Sequence, residues 1–261
     1  MEYKDLIIEN CDNHIAIVTL NRPEQLNTLT INTMTEIEHL TEDFQKDTET
    51  RVVIFTGTGK YFCGGRDLRD QGGPPTVLGQ QRAMQIGPRM TRKLYMMDQI
   101  TIAAINGGAF GGGCCITSAL DFRIGDEKCM AGFPESRLGM SLSWTILPII
   151  VHLIGPTFAK EMTILGRNND AQTLLKWGYL NEVVPKEKLL SRAIEIAKQY
   201  AAMPPISAQM IKKSINHITG ALDEAIMHMD MDQLMFTLQT NDLKEGVAAF
   251  FGKREGNFKG N

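Results

Sequence analysis

The stretch at residues 102–115 constrains the fold more than any other part of the sequence. It begins as an apolar run at residues 102–105, which is typical of a buried strand. Five glycines then stand among residues 107–113, and a small-residue apolar segment follows at 116–120. Because glycine permits tight backbone turns, this order predicts a strand, a glycine turn and the start of a helix.

A glycine turn at a helix start can bind an anion, since the first amides of a helix lack partners and the helix dipole favours negative charge there. The anion is either a fixed phosphate or the oxyanion of a reacting carbonyl. In the simplest alternative, the glycines only let the helix pack tightly on the sheet. A dinucleotide or P-loop site is excluded, because no acidic residue ends a second strand about 20 residues on and no Gly-Lys-Ser/Thr follows.

The same pattern occurs earlier in the chain. An apolar strand at residues 51–55 runs into a glycine-containing segment at 56–68. This second turn supplies the second backbone amide that an oxyanion site needs. Strands alternate with helical segments in this part of the chain, so we predict an α/β fold in which stacked β/α units form a spiral.

The hydrophobic patterns predict the other elements. Strands are expected at residues 6–9, 15–20, 51–55, 102–105, 121–125 and 130–133. Helices are expected from Thr30, over about 87–97, and over 186–202, 207–217 and 221–238. A polar turn at 10–13 makes the first two strands a hairpin, and a loop at 70–81, flexible at 71–75, is expected to shape the pocket. We therefore divide the chain into a β/α core, residues 1–185, and a helical region, residues 186–261.

The composition is that of a soluble globular protein of 261 residues, with 43% hydrophobic and 22% charged residues. A net charge of −3 argues against a nucleic-acid partner. Five cysteines without Cys-x-x-Cys spacing predict neither a disulfide framework nor a metal site. We see no signal peptide and no apolar run long enough for a membrane span, so a cytoplasmic location without membrane contact is expected.

Five short motifs, taken together and in order, resemble one family over essentially the whole chain. They are residues 21–23 (NRP), 59–68 (GKYFCGGRDL), 103–113 (AAINGGAFGGG), 133–139 (FPESRLG) and 250–259 (FFGKR followed by NFK). The family is the crotonase (enoyl-CoA hydratase/isomerase) superfamily. The resemblance implies a crotonase-like β/α spiral core with a C-terminal helical trimerisation region, a homotrimer or dimer of trimers, and an acyl coenzyme A thioester as substrate without a further cofactor. A Met-rich apolar surface is consistent with subunit packing, and its residues are Ile226, Met229, Met231, Leu234 and Met235.

The resemblance also assigns roles to residues. The backbone N–H groups of Arg66 and Gly112 would form an oxyanion hole, and Glu135 would be the catalytic acid and base. Further substrate or coenzyme contacts are implied at Gln25, Leu26, Gly64, Asp67, Leu68, Gly111, Cys115, Trp144, Phe250 and Lys253. The last of these, a lysine, would meet a phosphate at the nucleotide end. Arg66 departs from the family, in which a small residue is common at this position, and we expect its side chain to reach either a phosphate or solvent.

Cys115 is the more informative departure from the family. Hydratases use two glutamates, but the second position here is Cys115 and only Glu135 remains. One carboxylate suffices to take a proton from one carbon and return it to another, as in the Δ3,Δ2-enoyl-CoA isomerases. Trp144 also resembles the isomerases, because the matching stretch of the hydratases is glycine-rich. We therefore predict an enoyl-CoA isomerase that acts through a thioester enolate.

Three alternatives remain open at this point. The first is a hydratase or dehydratase whose second polar group is Ser141, Ser143 or Cys115. The second is a thioester hydrolase or a ring-cleaving enzyme. The third is a non-catalytic scaffold that binds coenzyme A or RNA, against which the intact Glu135 and the acidic pI of about 6.0 argue.

Overall fold

Two sheets organise the part of the chain that our computed structural model describes, residues 2–11, 14–70 and 76–261. The strands are β1 (Leu6–Cys11), β2 (Ile15–Leu20), β3 (Val52–Gly57), β4 (Ile100–Ile105), β5 (Gly108–Phe110), β6 (Phe122–Asp126), β7 (Met130–Gly132), β8 (Asn169–Asp170) and β9 (Glu182–Val184). The larger sheet has the order β1-β2-β3-β4-β6-β9, and the smaller has the order β5-β7-β8. All pairs are parallel except β1 with β2 and β7 with β8.

Helices cover the sheets. They are α1 (Ile31–Lys46), α2 (Val77–Met84), α3 (Ile86–Tyr95), α4 (Gly112–Ala119), α5 (Leu147–Ile164), α6 (Ala171–Lys176), α7 (Leu189–Ala201), α8 (Pro205–Thr219), α9 (Glu224–Met227), α10 (Asp230–Thr237) and α11 (Asn241–Phe251). Three 3-10 helices, Pro23–Gln25, Pro134–Leu138 and Lys186–Lys188, stand between them. The mixed α/β architecture with a helical C-terminal region confirms the predicted fold class.

The larger sheet is buried on both faces because its central strands are continuous apolar runs. Alternate residues of one strand enter opposite cores. Val53 of β3 contributes to the core under α1, α3 and α4, whereas Val52 contributes to the core that α7 closes. Every residue of β4 is buried, as expected for the strand that leads into the glycine turn.

Helix α1 begins where its sequence indicates. The Thr30 hydroxyl accepts a hydrogen bond from the Thr33 N–H at 3.1 Å, which caps the first turn. Met34, Ile37 and Leu40 lie on one face at helical spacing and are buried. The prediction of an amphipathic helix from Thr30 is therefore confirmed.

The structure corrects two predicted elements and adds several that were not predicted. Residues 221–238 form two helices, α9 and α10, rather than one, since acidic residues in the first turn of each favour a new helix start. The elements that were not predicted are α5, α6, α11, β5, β8 and β9. The predicted loop at 70–81 is helical from Val77, because Thr76 caps α2 through the Gly79 N–H. Residues 71–75 of that loop, and residues 12–13 of the predicted polar turn, lie outside the described residues.

The chain after β9 is helical to its last described helix and packs against the core. Helix α7 contacts the larger sheet, and Lys212 of α8 is buried with its Nζ 2.6 Å from Asp121 Oδ2 and 2.7 Å from the Gln99 carbonyl. Of the residues predicted to form a Met-rich surface, Met231 and Leu234 are buried within the chain, and Ile226 and Met229 are exposed. Among the described residues, no helix has the length and apolar character that a membrane crossing requires.

Candidate active site

Backbone hydrogen bonds hold residues 63–67, the segment that follows β3, on two sides. On one side, Cys63 pairs with Ala109 of β5. On the other, the Leu29 N–H donates to the Gly65 carbonyl at 2.8 Å, and the Asp67 N–H donates to the Leu29 carbonyl at 3.0 Å. These two bonds flank Arg66 and leave its own N–H without a backbone acceptor in the described chain. The segment therefore presents one free amide from a rigid frame.

The second free amide belongs to Gly112, the first residue of α4. Its N–H has no acceptor inside the helix, as expected at this position. Gly111 precedes it with φ of 49°, in the left-handed region that favours glycine, and donates to the Gly132 carbonyl at 3.0 Å. The two turns are in contact, since a Cβ on Gly65 would lie 3.7 Å from the Gly112 nitrogen. We call residues 63–67 and 108–112 the oxyanion turns.

Glu135 faces this pair of turns. It follows Pro134 in the 3-10 helix Pro134–Leu138, and its Oε1 lies close to Gly111, where a Cβ would be 2.7 Å from it. The other oxygen, Oε2, is buried without a hydrogen-bond partner among the described residues. Burial raises the pKa of Glu135 to about 7, so the group can release and accept a proton near neutral pH.

The chain that carries Glu135 is held from the C-terminal region. We call residues 134–145 the Glu135 strap. Gly246 of α11 packs directly on the backbone of Leu138, and a Cβ there would collide with it. Further along the strap, the Ser141 N–H donates to Thr237 Oγ1 of α10 at 3.0 Å. The position of the strap therefore depends on contacts from two helices far along the sequence.

Cys115 and Trp144 form apolar walls beside these groups. Cys115 is 2% exposed, and burial, together with the nearby Glu135 charge, raises the pKa of its thiol well above the usual range. The thiol is therefore protonated and cannot act as a base. The Trp144 indole packs against Gly112, where a Cβ would lie 2.6 Å from Cζ3, and against Gly87 of α3.

The residues expected along the coenzyme path start at the first oxyanion turn. Gln25 and Leu26 are exposed, and the Leu26 carbonyl accepts the Gly64 N–H at 2.8 Å. The Arg66 side chain lies only partly in solvent. It is half-buried, burial lowers its pKa, and its Nη2 donates to the Asp70 carbonyl at 3.1 Å.

The other predicted contacts fall into two groups. Asp67 is buried, accepts from the Thr28 hydroxyl and pairs with Arg69 at 3.1 Å, and the adjacent Leu68 is partly exposed. Phe250 and Lys253 lie exposed at the end of α11, and no hydrogen bond or ring contact of the described chain joins them to the oxyanion turns or to Glu135. The described contacts thus bring the two oxyanion turns and Glu135 together, and the coenzyme contacts at Phe250 and Lys253 stay predictions.

Sequence reasoning missed the residues that support the strap: Asp230, Thr237, Gly246 and Asp242. Asp230 accepts the Thr145 N–H at 3.0 Å, and the backbone of Asp242 packs against Gly139, whose φ is 75° and where a Cβ would lie 2.6 Å from the Asp242 carbonyl oxygen. None of them carries a local signal, because their roles arise only when the chain has folded.

The comparisons with known proteins cover nearly the whole chain. A short-chain-enoyl-CoA hydratase of Clostridium acetobutylicum is 30% identical over 98% of this chain and 97% of its own. A 1,2-epoxyphenylacetyl-CoA isomerase of Escherichia coli is 28% identical over 98% and 99%. The crystal structure of an enoyl-CoA hydratase from Mycobacterium avium subsp. paratuberculosis has the same fold, with a TM-score of 0.88, 23% identity and coverage of 99% and 100%. The family model described as Enoyl-CoA hydratase/isomerase matches residues 10–261, and the chain belongs to this family of the crotonase superfamily.

Proposed function

We propose that the protein shifts the double bond of an enoyl coenzyme A thioester, with Glu135 as the single proton carrier. The observation that carries this proposal is the Glu135 carboxyl, whose pKa burial raises to about 7 and whose Oε2 has no hydrogen-bond partner among the described residues. No second carboxylate projects from α4, where Cys115 stands. Such a site suits a reaction that needs one group as base and then as acid.

The proposed reaction has two proton transfers that balance. The Glu135 carboxylate takes a proton from carbon 2 of a 3-enoyl thioester, and the electron pair of the broken C–H bond spreads onto the thioester oxygen. The N–H groups of Arg66 and Gly112 stabilise that oxyanion. Glu135 then returns the proton to carbon 4, and the product is the 2-enoyl thioester.

The apolar walls favour this reaction over addition of water. Cys115 is buried and protonated, so it cannot activate a water molecule. Trp144 covers the side of α4 that bears Gly112. Excluding water from a dienolate gives Glu135 time to return its proton.

The second candidate is hydration of a 2-enoyl thioester. Its support is that several relatives are named hydratases, including one from Clostridium acetobutylicum at 30% identity and one from Syntrophomonas wolfei at 29%. Ser141 and Ser143 of the strap are the serines that we predict to hold water in this case. Ser143 is buried, and the backbone of Ser141 is already bound to Thr237.

The deciding experiment incubates the protein with a 3-enoyl-CoA and, separately, with the 2-enoyl-CoA of the same chain length. Isomerisation leaves the mass unchanged and produces the conjugated thioester. Hydration adds the mass of one water molecule, and hydrolysis releases free coenzyme A. Rapid hydration of the 2-enoyl-CoA without isomerisation would refute the proposal, and no product from either substrate would favour a binding role.

Cys115→Ala separates the two candidates further. Because the neutral thiol carries no proton in our scheme, the ratio of isomerised to hydrated product is expected to stay unchanged. A selective loss of hydrated product in this variant would assign water activation to the thiol and favour the hydratase.

We also propose that the protein assembles as a trimer or a dimer of trimers. Helix α8 exposes an apolar face along its length, at Ile206, Met210, Ile211, Ile215 and Ile218. Faces of this kind are typical of protein interfaces. Light scattering at micromolar concentration is expected to give a multiple of the 29.1 kDa chain mass, and Ile215→Lys is expected to weaken the assembly. A monomeric mass for the unmodified protein would refute this proposal.

A further inference from the structure

The end of the Glu135 strap contains two consecutive residues in an unfavourable backbone conformation. Trp144 has φ of 73° and Thr145 has φ of 56°, and neither is glycine. Residues with a Cβ rarely adopt the left-handed region, least of all β-branched or bulky ones. Such a turn persists only where its surroundings hold it in place.

One carboxylate from a distant helix meets this turn. Asp230 is the first residue of α10, and its Oδ2 accepts the Thr145 N–H at 3.0 Å. The Trp144 N–H faces the same carboxylate. Burial raises the pKa of Asp230, and these two N–H groups oppose that rise. Both groups thus point to one side chain that lies 85 residues further along the chain.

The turn sets the position of the Trp144 indole. The ring is 8% exposed and lies between Gly87 of α3 and Gly112 of α4. A Cβ on either glycine would enter the space that the ring occupies. Since the ring fills the space between these two glycines, a shift of the turn would move the ring relative to Gly112.

We propose that Asp230 is a positioning residue, whose carboxylate holds the left-handed Trp144–Thr145 turn and thereby keeps the indole against Gly112. The carboxylate acts as a hydrogen-bond acceptor for backbone N–H groups, so its role requires no proton transfer. The kinetic part of the test rests on the proposed function. The structural part does not, because it follows the indole directly.

The experiment follows the fluorescence of Trp144, so the other tryptophan of the chain is first replaced. The chain has two tryptophans, and Trp177 stacks on Phe158 with ring centroids 5.0 Å apart. Trp177→Phe keeps an aromatic ring there and leaves Trp144 as the only tryptophan. In this background we compare Asp230→Ala, Asp230→Asn and Asp232→Ala. Asp232 is the matched control, because it also lies in the first turn of α10 but is exposed.

Two readouts are measured on the full-length protein: Trp144 emission with acrylamide quenching, and kcat with KM for the enoyl-CoA. For Asp230→Ala we expect red-shifted emission, easier quenching and a kcat lower by about tenfold, with a smaller change in KM. Asp230→Asn keeps an oxygen acceptor and is expected to retain most of both properties. Asp232→Ala is expected to match the parent.

Two results would overturn the inference. One is Asp230→Ala with the same Trp144 emission as Asp232→Ala. The other is Asp230→Asn as impaired as Asp230→Ala, since the acceptor oxygen would then not be the property that matters. A protein that turns over no enoyl-CoA refutes the proposed function, while its emission spectra still decide the role of Asp230.

A double variant covers the case in which Asp230→Ala does not fold. Glycine adopts the left-handed region without strain, so Thr145→Gly should reduce the need for the carboxylate. We expect Asp230→Ala with Thr145→Gly to fold and to recover part of the Trp144 emission. If this protein also fails to fold, the carboxylate supports the fold at large and the inference is wrong.

Discussion

The two halves of the site are held in different ways. The oxyanion turns are fixed by backbone hydrogen bonds to β5, to Leu29 and to Gly132. The Glu135 strap is held by a hydroxyl, a carboxylate and a glycine contact from α10 and α11. The turns are therefore extensions of the sheets, whereas the strap depends on helices that join the core from the other end of the chain.

This difference teaches where the site tolerates change. Backbone hydrogen bonds persist through most side-chain substitutions. The oxyanion turns should therefore be sensitive to substitution only where a free amide or a glycine conformation is required. Each support of the strap is a particular residue, so single substitutions at remote positions can move Glu135. The predictions below test the two halves separately, in order of decreasing effect.

The largest effect is expected at the strap's own functional group. Glu135→Gln keeps the size of the side chain but removes its ability to take a proton, so turnover should fall by about 10²–10⁴-fold. Coenzyme A binding, measured by calorimetry, should persist because the oxyanion turns do not depend on this charge. Wild-type turnover in the variant would remove Glu135 from the mechanism.

The next effect belongs to the oxyanion turns. Gly112→Pro removes the N–H at the first helical position, where proline is otherwise tolerated. Gly112→Ala is the matched control, because it brings the same Cβ close to Trp144 and keeps the N–H. We expect kcat of the proline variant to lie about 10²–10³-fold below that of the alanine variant. Equal rates would place the oxyanion site elsewhere.

A third effect concerns stability and belongs to the strap alone. The folded protein raises the pKa of Glu135 to about 7 from its ordinary value of 4.5, so folding favours the protonated acid. Wild type should therefore lose stability relative to Glu135→Gln as the pH rises from about 4.5 to about 7, by about 3 kcal/mol in total. Urea unfolding of both proteins at a series of pH values measures this difference. If the unfolding free energies of the two proteins change in parallel with pH, ionisation of the Glu135 carboxyl does not destabilise the folded protein.

The smallest effect tests the remote support of the strap. Gly246→Ala places a Cβ against the backbone of Leu138, so we expect a loss of about 1–3 kcal/mol in stability and a lower kcat with little change in coenzyme A affinity. Ala248→Ser on the exposed side of α11 is the control and should behave as wild type. If both variants are equally active, α11 does not position the strap.

Local patterns predicted the oxyanion turns and left out the supports of the strap. The glycines at 111 and 112 follow an apolar strand, and this pattern is visible within a short stretch of sequence. In the structure they lie at the start of α4, as predicted. Asp230 looks like any acidic residue at a helix start, and Gly246 like a weak point in a helix. Their roles come from contacts across long sequence distances, which no short window contains.

The long-range contacts of the strap have a consequence for the order of events during folding. The bonds to Thr237 and Asp230 close loops of 96 and 85 residues, and contacts of such separation form late because closing them costs chain entropy. The paired strands and the oxyanion turns join segments that lie much closer in sequence. On dilution from denaturant, secondary structure should thus return before enzymatic activity does. The protein should also bind coenzyme A before it can turn over a substrate.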